Sequence, residues 1–351
     1  MAEIDNVPGL TGRRGEHQDH GYEVWFLTLT DRASGQGFWI RTTYLAPRRG
    51  SRSAGVWFAR FDPADPARTF GIHRNFHSFS FDGRGFDVRA GGAVMASGRA
   101  EGSVAGDGHQ ASWRLSWPTG EPTYRLLPDW MYRGSFAPTK PFSPNVSTRA
   151  TGEVIVDGER LELSEAPTQQ GHLYGSRHAE RWAWAHCGDP AGEDATIHAL
   201  TAQGRRGPYR TPFVTSVGVK WDGRWIRLSK ASRARDFGLG SWHVDVGNRR
   251  YRLTGRIEAP ARDLLRARYT DPDGTDRFCH NSEIASCRLA LFERHAGGFD
   301  EIALFESKGG THAEWAGRTP AHAVEREHVD VTGDPEDVAD AVAPPSGGGG
   351  R

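Results

Sequence analysis

The feature that most limits how this chain can fold is how often glycine or proline interrupts it. With 44 glycines and 20 prolines in 351 residues, the three-to-four-residue apolar spacing of an amphipathic helix is hard to sustain. What fits between the interruptions is the short strand. "YEVWFLTLT" (Tyr22 to Thr30) and "FWIRTTYLA" (Phe38 to Ala46) flank the turn "DRASGQG" and read as a hairpin. "GVWFARF", "HSFSF", "FDVRA", "SWRLSW", "GEVIVDG" and "RLELSE" follow at the spacing of a barrel or sandwich. After the turn-rich "GDPAGED", a second series runs from "ATIHALTAQ" through "FVTSVGVKW" and "SWHVDV" to "FDEIALFES". The expected class is therefore mainly β, as two tandem antiparallel barrels or strongly twisted sandwiches. The units are expected at residues 1–190 and 191–325, with a mostly disordered tail over 326–351 in which Asp334 and Pro335 could open one short helix.

Composition narrows the function. Forty-four basic residues balance 44 acidic ones, and no basic run is long enough to track a phosphate backbone, so nucleic acid is not an expected partner. No run of 18 apolar residues and no signal-peptide core occur, which gives the expectation of a cytoplasmic protein without stable membrane insertion. Cys187, Cys279 and Cys287 form neither an even framework nor a C-x-x-C pair and are expected as free thiols. There is no nucleophile elbow, P-loop or dinucleotide fingerprint, so no cofactor is expected. Composition leaves the oligomeric state open.

The densest chemistry lies in "GSRHAERWAWAHC" (Gly175 to Cys187). Read as one strand, its even face carries His178, Glu180, Trp182, Trp184 and His186, while its odd face carries Arg177, Arg181, alanines and Cys187. Large rings beside titratable groups fit a strand that lines a cavity with a few polar handles. The alternative is plain core packing, with Glu180 or His178 satisfied by an arginine. In the hairpin, opposing Thr30 to Phe38 places Glu23 and Trp25 on the face of Trp39 and Arg41. Glu23 and Arg41 would then form a structural ion pair or reach a ligand, because a lone buried charge is costly. "FCHNSE" adds His280 and Asn281 to the second unit's interior or to the face between units. His186 with Cys187, and Cys279 with His280, supply zinc-compatible types, but neighbours on a strand point oppositely, so no metal is expected.

At the hairpin, at "GEVIVDGERLEL" leading into "QQGHLYGSRHAERWAWAHC", at "FCHNSEIASCRL" and at "HAEWAGR", the chain resembles a family of two-domain lipocalin-like proteins. That family includes carotenoid 1,2-hydratase, tocopherol cyclase and the AttH-like proteins, and the resemblance spans roughly residues 20 to 320. It implies two calycin-type β units around a cavity for an isoprenoid- or polyketide-like molecule. The implied chemistry is cofactor-free cyclisation, isomerisation or hydration. Hydratase-like members carry an Asp-Arg-Glu-Trp motif where this chain reads Gly171, His172, Leu173 and Tyr174, so the acid at that position is missing. Glu180, His178 and His172 are then the catalytic candidates. Trp182, Trp184, His186, Tyr174, Arg177, Trp25, Arg41, Glu23, His280 and Asn281 are the expected ligand-facing set. A non-catalytic carrier of a small apolar ligand is the alternative, and a ligand-free structural protein with a filled interior is a third.

Overall fold

The computed structural model describes residues 5–9, 20–81, 85–134, 136–190 and 194–331. Its regular elements are strands and three short 3-10 turns, and no helix among the described residues is long and apolar enough to cross a membrane. The Asp334–Pro335 helix start lies outside the described residues.

The first sheet opens with a meander of β1 (Gly21–Thr30), β2 (Gly37–Ala46), β3 (Ser53–Phe61) and β4 (Phe70–Phe76). Five short strands follow: β5 (Phe79–Phe81), β6 (Asp87–Ala90), β7 (Ala93–Ala96), β8 (Arg99–Gly106) and β9 (His109–Ser116). Beyond β10 (Tyr124–Arg125) and β11 (Thr139–Ser143), β12 (Thr148–Val156) turns into the 17-residue β13 (Glu159–Gly175). The strand β13 pairs β1 on one side and β12, then β11, on the other, so it is the spine on which the sheet curls.

The second sheet holds β14 (Arg181–Gly188), β15 (Thr196–Arg206), β16 (Tyr209–Trp221), β17 (Arg224–Ser232), β18 (Phe237–Gly238), β19 (Ser241–Gly247) and β20 (Tyr251–Glu258). The strands β21 (Leu265–Thr270), β22 (Asp276–His295) and β23 (Gly298–Gly317) complete it, with β14 seated between β15 and β23. Finally β24 (His328–Val331) returns to the first sheet and pairs β4 in parallel. Two curled antiparallel sheets of this kind are the lipocalin-like β architecture anticipated above.

Apolar burial falls into three layers. Trp25, Leu27, Phe38 and Phe58 belong to the core inside the first sheet, and Val217, Trp242, Leu253 and Phe305 to that inside the second. A third cluster, with Trp39, Trp57, Trp182, Trp184 and Tyr269, fills the space between the sheets. The sheets approach closely at Gly37, where a Cβ would come within 2.5 Å of the Glu283 carbonyl oxygen. Only glycine fits there.

Three expectations need correcting. The sheet changes between Gly175 and Arg181 rather than near residue 190, so β14 belongs to the second sheet. Residues 328–331, assigned to a disordered tail, form an edge strand. The hairpin register also differs by one: Thr30 faces Gly37 and Leu29 faces Phe38. The loop fixes this, because Asp31 exchanges backbone bonds with Gln36 and Gly35 while its carboxylate accepts from the Ala33 and Ser34 amides. A one-residue slip exchanges faces, so Arg41 stands opposite Phe26 and shares no face with Glu23.

Candidate functional site

Parity explains how the second sheet serves two masters. On β14, Ala183, Ala185 and Cys187 enter the sheet's own core, while Trp182 and Trp184 turn to the space between sheets. The register places Glu314 of β23 directly across from Trp184, and His312 across from His186. Facing them, the even residues Val24 and Phe26 of β1, with Trp39 and Arg41 of β2, come from the first sheet.

These faces enclose a chamber of about 460 Å³, a size usual for small-molecule sites. Phe26, Trp39, Trp182, Trp184, Leu200 and Val214 give it largely apolar walls, and the strap around Leu126–Pro128 and Phe136–Pro138 covers it. The proline-rich connection therefore acts as the roof. Phe26 meets the Trp184 ring edge-on at 5.9 Å between centroids.

Several polar groups interrupt the apolar wall, Glu314, His178 and Arg41 among them. The Glu314 carboxylate oxygen Oε2 accepts from Trp182 Nε1 at 3.1 Å. Burial raises its pKa above the usual carboxyl range, opposed by the Trp182 hydrogen bond and the charge of Arg41. Glu314 is therefore held toward its protonated, donating form. His178 is the second. Asp271 Oδ1 accepts from both its backbone N–H and its Nδ1, each at 2.8 Å, and its ring lies against Tyr22 at 4.1 Å. Burial lowers the His178 pKa, against the pull of Asp271, so the imidazole is neutral and Nε2 carries its lone pair. His178 also stacks on Trp182 at 5.8 Å, so the one indole touches His178 with its face and Glu314 with its N–H edge.

Arg41 is the third. Its guanidinium carbon lies 4.2 Å from the Tyr269 ring centroid and 5.3 Å from those of Trp39 and Trp57. No carboxylate of the described residues lies within ion-pair distance of it, and its Nε has no hydrogen-bond partner. The expected Glu23–Arg41 pair is absent because the register puts them on opposite faces.

The remaining candidates are distributed as follows. Glu180 is a structural ion: Arg318 Nε lies 2.6 Å from its Oε2 and Arg277 Nη2 3.5 Å from its Oε1, and it does not line the chamber. The strand reading failed there because residues 176–180 are the link between sheets, so parity does not carry across them. His172 reaches the wall, but Nε2 bonds Glu23 Oε1 at 2.8 Å and Nδ1 the Asp5 carbonyl. Both nitrogens are engaged. Glu23 also accepts from the Gly9 amide, and Trp25 stacks on His172 inside the first core; neither Glu23 nor Trp25 lines the chamber. His280 bonds the Trp315 carbonyl and the Ala321 amide, and Asn281 is fully buried near Glu283. Tyr174 and Arg177 line a neighbouring pocket. His186 misses the chamber as well. It forms the middle of a row across three adjacent strands, with His198 and His312 opposite it on either side, in a polar seam with Ser143, Thr30 and Glu283. Cys187 sits against Cys287, away from Cys279 and His280.

Glu314, which lines the chamber, lies in "HAEWAGR" and had no role in the sequence reading. Parity puts His312 and Glu314 on one face, but which face borders the chamber depends on pairing with β14, a contact 132 residues distant.

Comparison with known proteins agrees with this architecture. The family described as tocopherol cyclase-like matches residues 145–315. An uncharacterised protein of Mycobacterium tuberculosis is 27% identical over 291 residues, covering 78% of this chain and 82% of that one. The chloroplastic tocopherol cyclase of Zea mays is 25% identical over 210 residues, 54% of this chain and 43% of that one. A crystal structure designated AttH, from Nitrosomonas europaea, superposes with a TM-score of 0.51 at 12% identity, covering 89% of this chain and 99% of that one. The resemblance drawn from the sequence motifs is thus borne out, and the fold is shared with AttH.

Proposed function

We propose that this protein is a cofactor-independent cyclase or hydratase acting on a small, mostly apolar unsaturated molecule of isoprenoid or polyketide type. The observation that carries the reading is Glu314: a carboxyl held toward its protonated form on the wall of an aromatic chamber. Its similarity to a tocopherol cyclase supports the same class of chemistry.

In this reading, Glu314 gives its proton to one carbon of a substrate double bond; the π electrons form the new C–H bond and the neighbouring carbon becomes electron-poor. The faces of Trp182 and Trp184 stabilise that cation by roughly 0.5–2 kcal/mol each without attacking it. Arg41 stabilises the carboxylate left on Glu314. A substrate hydroxyl, or water, then closes on the cation, and His178 Nε2 takes the released proton while Asp271 holds the ring in register. The proton returns from His178 to Glu314 through solvent, which leaves the protein unchanged.

Native mass spectrometry of the protein from its own host identifies the bound molecule, which is then incubated with the protein in deuterated water. The expected product carries one carbon-bound deuterium, and Glu314→Gln binds the molecule without converting it. Recovery of the molecule unchanged from the wild-type protein would instead establish a carrier.

A further inference from the structure

Among the residues that line the chamber, four are exposed: Pro128, Trp130, Phe136 and Arg206. The first three lie in the strap and Arg206 ends β15, so the chamber opens between the strap and the turn that joins β15 to β16. The large apolar side chains that the protein leaves in water gather at the same place. Among the described residues these are Trp130, Phe136, Tyr209 and Leu239. Trp130 and Phe136 stand edge to face with ring centroids 5.5 Å apart. Tyr209, 77% exposed, pairs across the β15–β16 turn with Arg206. Leu239 alone lies elsewhere, in the turn between β18 and β19.

Arginines accompany these rings. Arg133 follows Trp130 in the strap, and Arg206 and Arg210 stand on either side of Tyr209. All three are exposed, and none has a described carboxylate within 4 Å. Asp129, the acid beside Trp130, faces Arg125 at 3.7 Å. The chain as a whole is neutral, so the positive charge at this mouth is local. At about 150–250 Å² per aromatic side chain, the exposed parts of the three rings come to roughly 400 Å², about half of what one partner contributes to a stable protein interface. A bilayer asks for no matched shape. Tryptophan and tyrosine sit well at its boundary, ring toward hydrocarbon and N–H or O–H toward water, and arginines beside them attract anionic headgroups.

We infer that the strap and the β15–β16 turn form a docking surface for a bilayer containing anionic lipid, with Trp130, Phe136 and Tyr209 at the level of the headgroups and the chamber mouth toward the lipid. The contact is peripheral, made by side chains of two connecting segments. The inference rests on the chamber being the ligand site, and it names the phase that delivers the ligand: an apolar molecule dissolves in the bilayer and enters the chamber from there.

In the test, the full chain is sedimented with sucrose-loaded vesicles of phosphatidylcholine, alone or mixed with phosphatidylglycerol, while farnesol binding is followed separately by calorimetry without lipid. Binding is expected to be at least about tenfold tighter on the mixed vesicles at low salt, with the advantage shrinking as salt rises. In Arg133→Gln/Arg210→Gln, at two exposed positions outside the chamber wall, the advantage should fall to about threefold or less while farnesol affinity stays the same. Trp130→Ser/Phe136→Ser should weaken binding to both kinds of vesicle at least about tenfold, and Tyr209→Ser, which leaves the chamber wall intact, about threefold without changing farnesol affinity. Farnesol binding by a chain that ignores both vesicles would overturn the docking surface and leave the chamber reading intact. Vesicle binding that survives all three variants would also overturn it. Vesicle binding without farnesol binding would overturn the passage of a ligand from bilayer to chamber, and absence of both would overturn the two readings together. Light scattering in lipid-free buffer covers the other occupant: a two-chain particle that Tyr209→Ser splits into single chains would assign the face to a second copy instead.

Discussion

The indole nitrogen of Trp182 donates to Glu314 Oε2 across 3.1 Å, joining an electron-rich ring and a proton-holding carboxyl from strands 132 residues apart. The bond favours the carboxylate, so it moderates the upward push of burial on Glu314. Replacing Trp182 with Phe keeps a ring face and removes the bond. The Glu314 pKa should then rise further, moving the alkaline limb of the pH–rate profile to higher pH. A profile that stays in place would show that Glu314 is not the titrating acid.

The two glutamates on neighbouring segments should separate cleanly by mutation. Glu180→Gln removes one of the two carboxylates that face the buried Arg277, leaving Asp271, and weakens the hold on Arg318. The cost should fall on stability, about 3 kcal/mol for breaking a buried pair, visible as a lower denaturant midpoint. Glu314→Gln changes no ion pair and should leave stability within about 1 kcal/mol while turnover is lost. Reversal of these two outcomes would return the catalytic role to Glu180.

Why the sequence reading reached one and not the other is a matter of where parity holds. Within β14 it held, and Trp182 and Trp184 do share the chamber-facing side. It was carried upstream through residues 176–180, which cross between sheets, and so assigned Glu180 to a wall it does not form. In the hairpin the strands were legible from alternation alone, but the loop sets the register, and one residue of slip moved Arg41 from a partner to a solitary charge in the chamber. The histidine row is invisible locally for the same reason: His186, His198 and His312 lie on three strands that only the folded sheet makes neighbours.

That row, together with His328 on the edge strand of the first sheet, gives the fold a pH dependence with a definite sign. Burial lowers the pKa of His186 to about 4 and of His328 to about 3, and holds His198 and His312 well below 6.5. Each takes up a proton on unfolding below pH 6.5, so the stability each contributes is present above that value and lost as pH falls from 6.5 toward its folded pKa. The slope is up to about 1.4 kcal/mol per pH unit per histidine. Glu283 and Glu314 act oppositely: burial raises their pKa values, and the stability they contribute is present below 4.5 and lost as pH rises through the folded values. Burial lowers His73, His178 and His280 as well, and raises Asp236 and Asp263, so seven described histidines stand against four carboxyls. Urea midpoints should therefore fall between pH 6.5 and 4.5, and a flat or rising midpoint across that window would contradict the buried neutral row.

At Gly171, where the resemblance to hydratase-like proteins implies an acid, a Cβ would lie 2.2 Å from two ring atoms of Phe26. The phenyl ring has taken the space that an aspartate would need, and the same ring forms part of the chamber wall against Trp184. Installing the acid by Gly171→Asp should therefore not create a hydratase. It should force Phe26 aside, destabilise the protein by about 1–3 kcal/mol through overpacking and weaken ligand binding. Adding Phe26→Ala should recover part of that stability, because the two changes meet at one contact and are not additive. A double-mutant cycle on denaturant midpoints measures the coupling, which should favour the double variant by at least about 1 kcal/mol over the sum of the singles. Zero coupling, or a Gly171→Asp variant as stable as the wild type, would show that the ring and the missing acid do not compete for the same space.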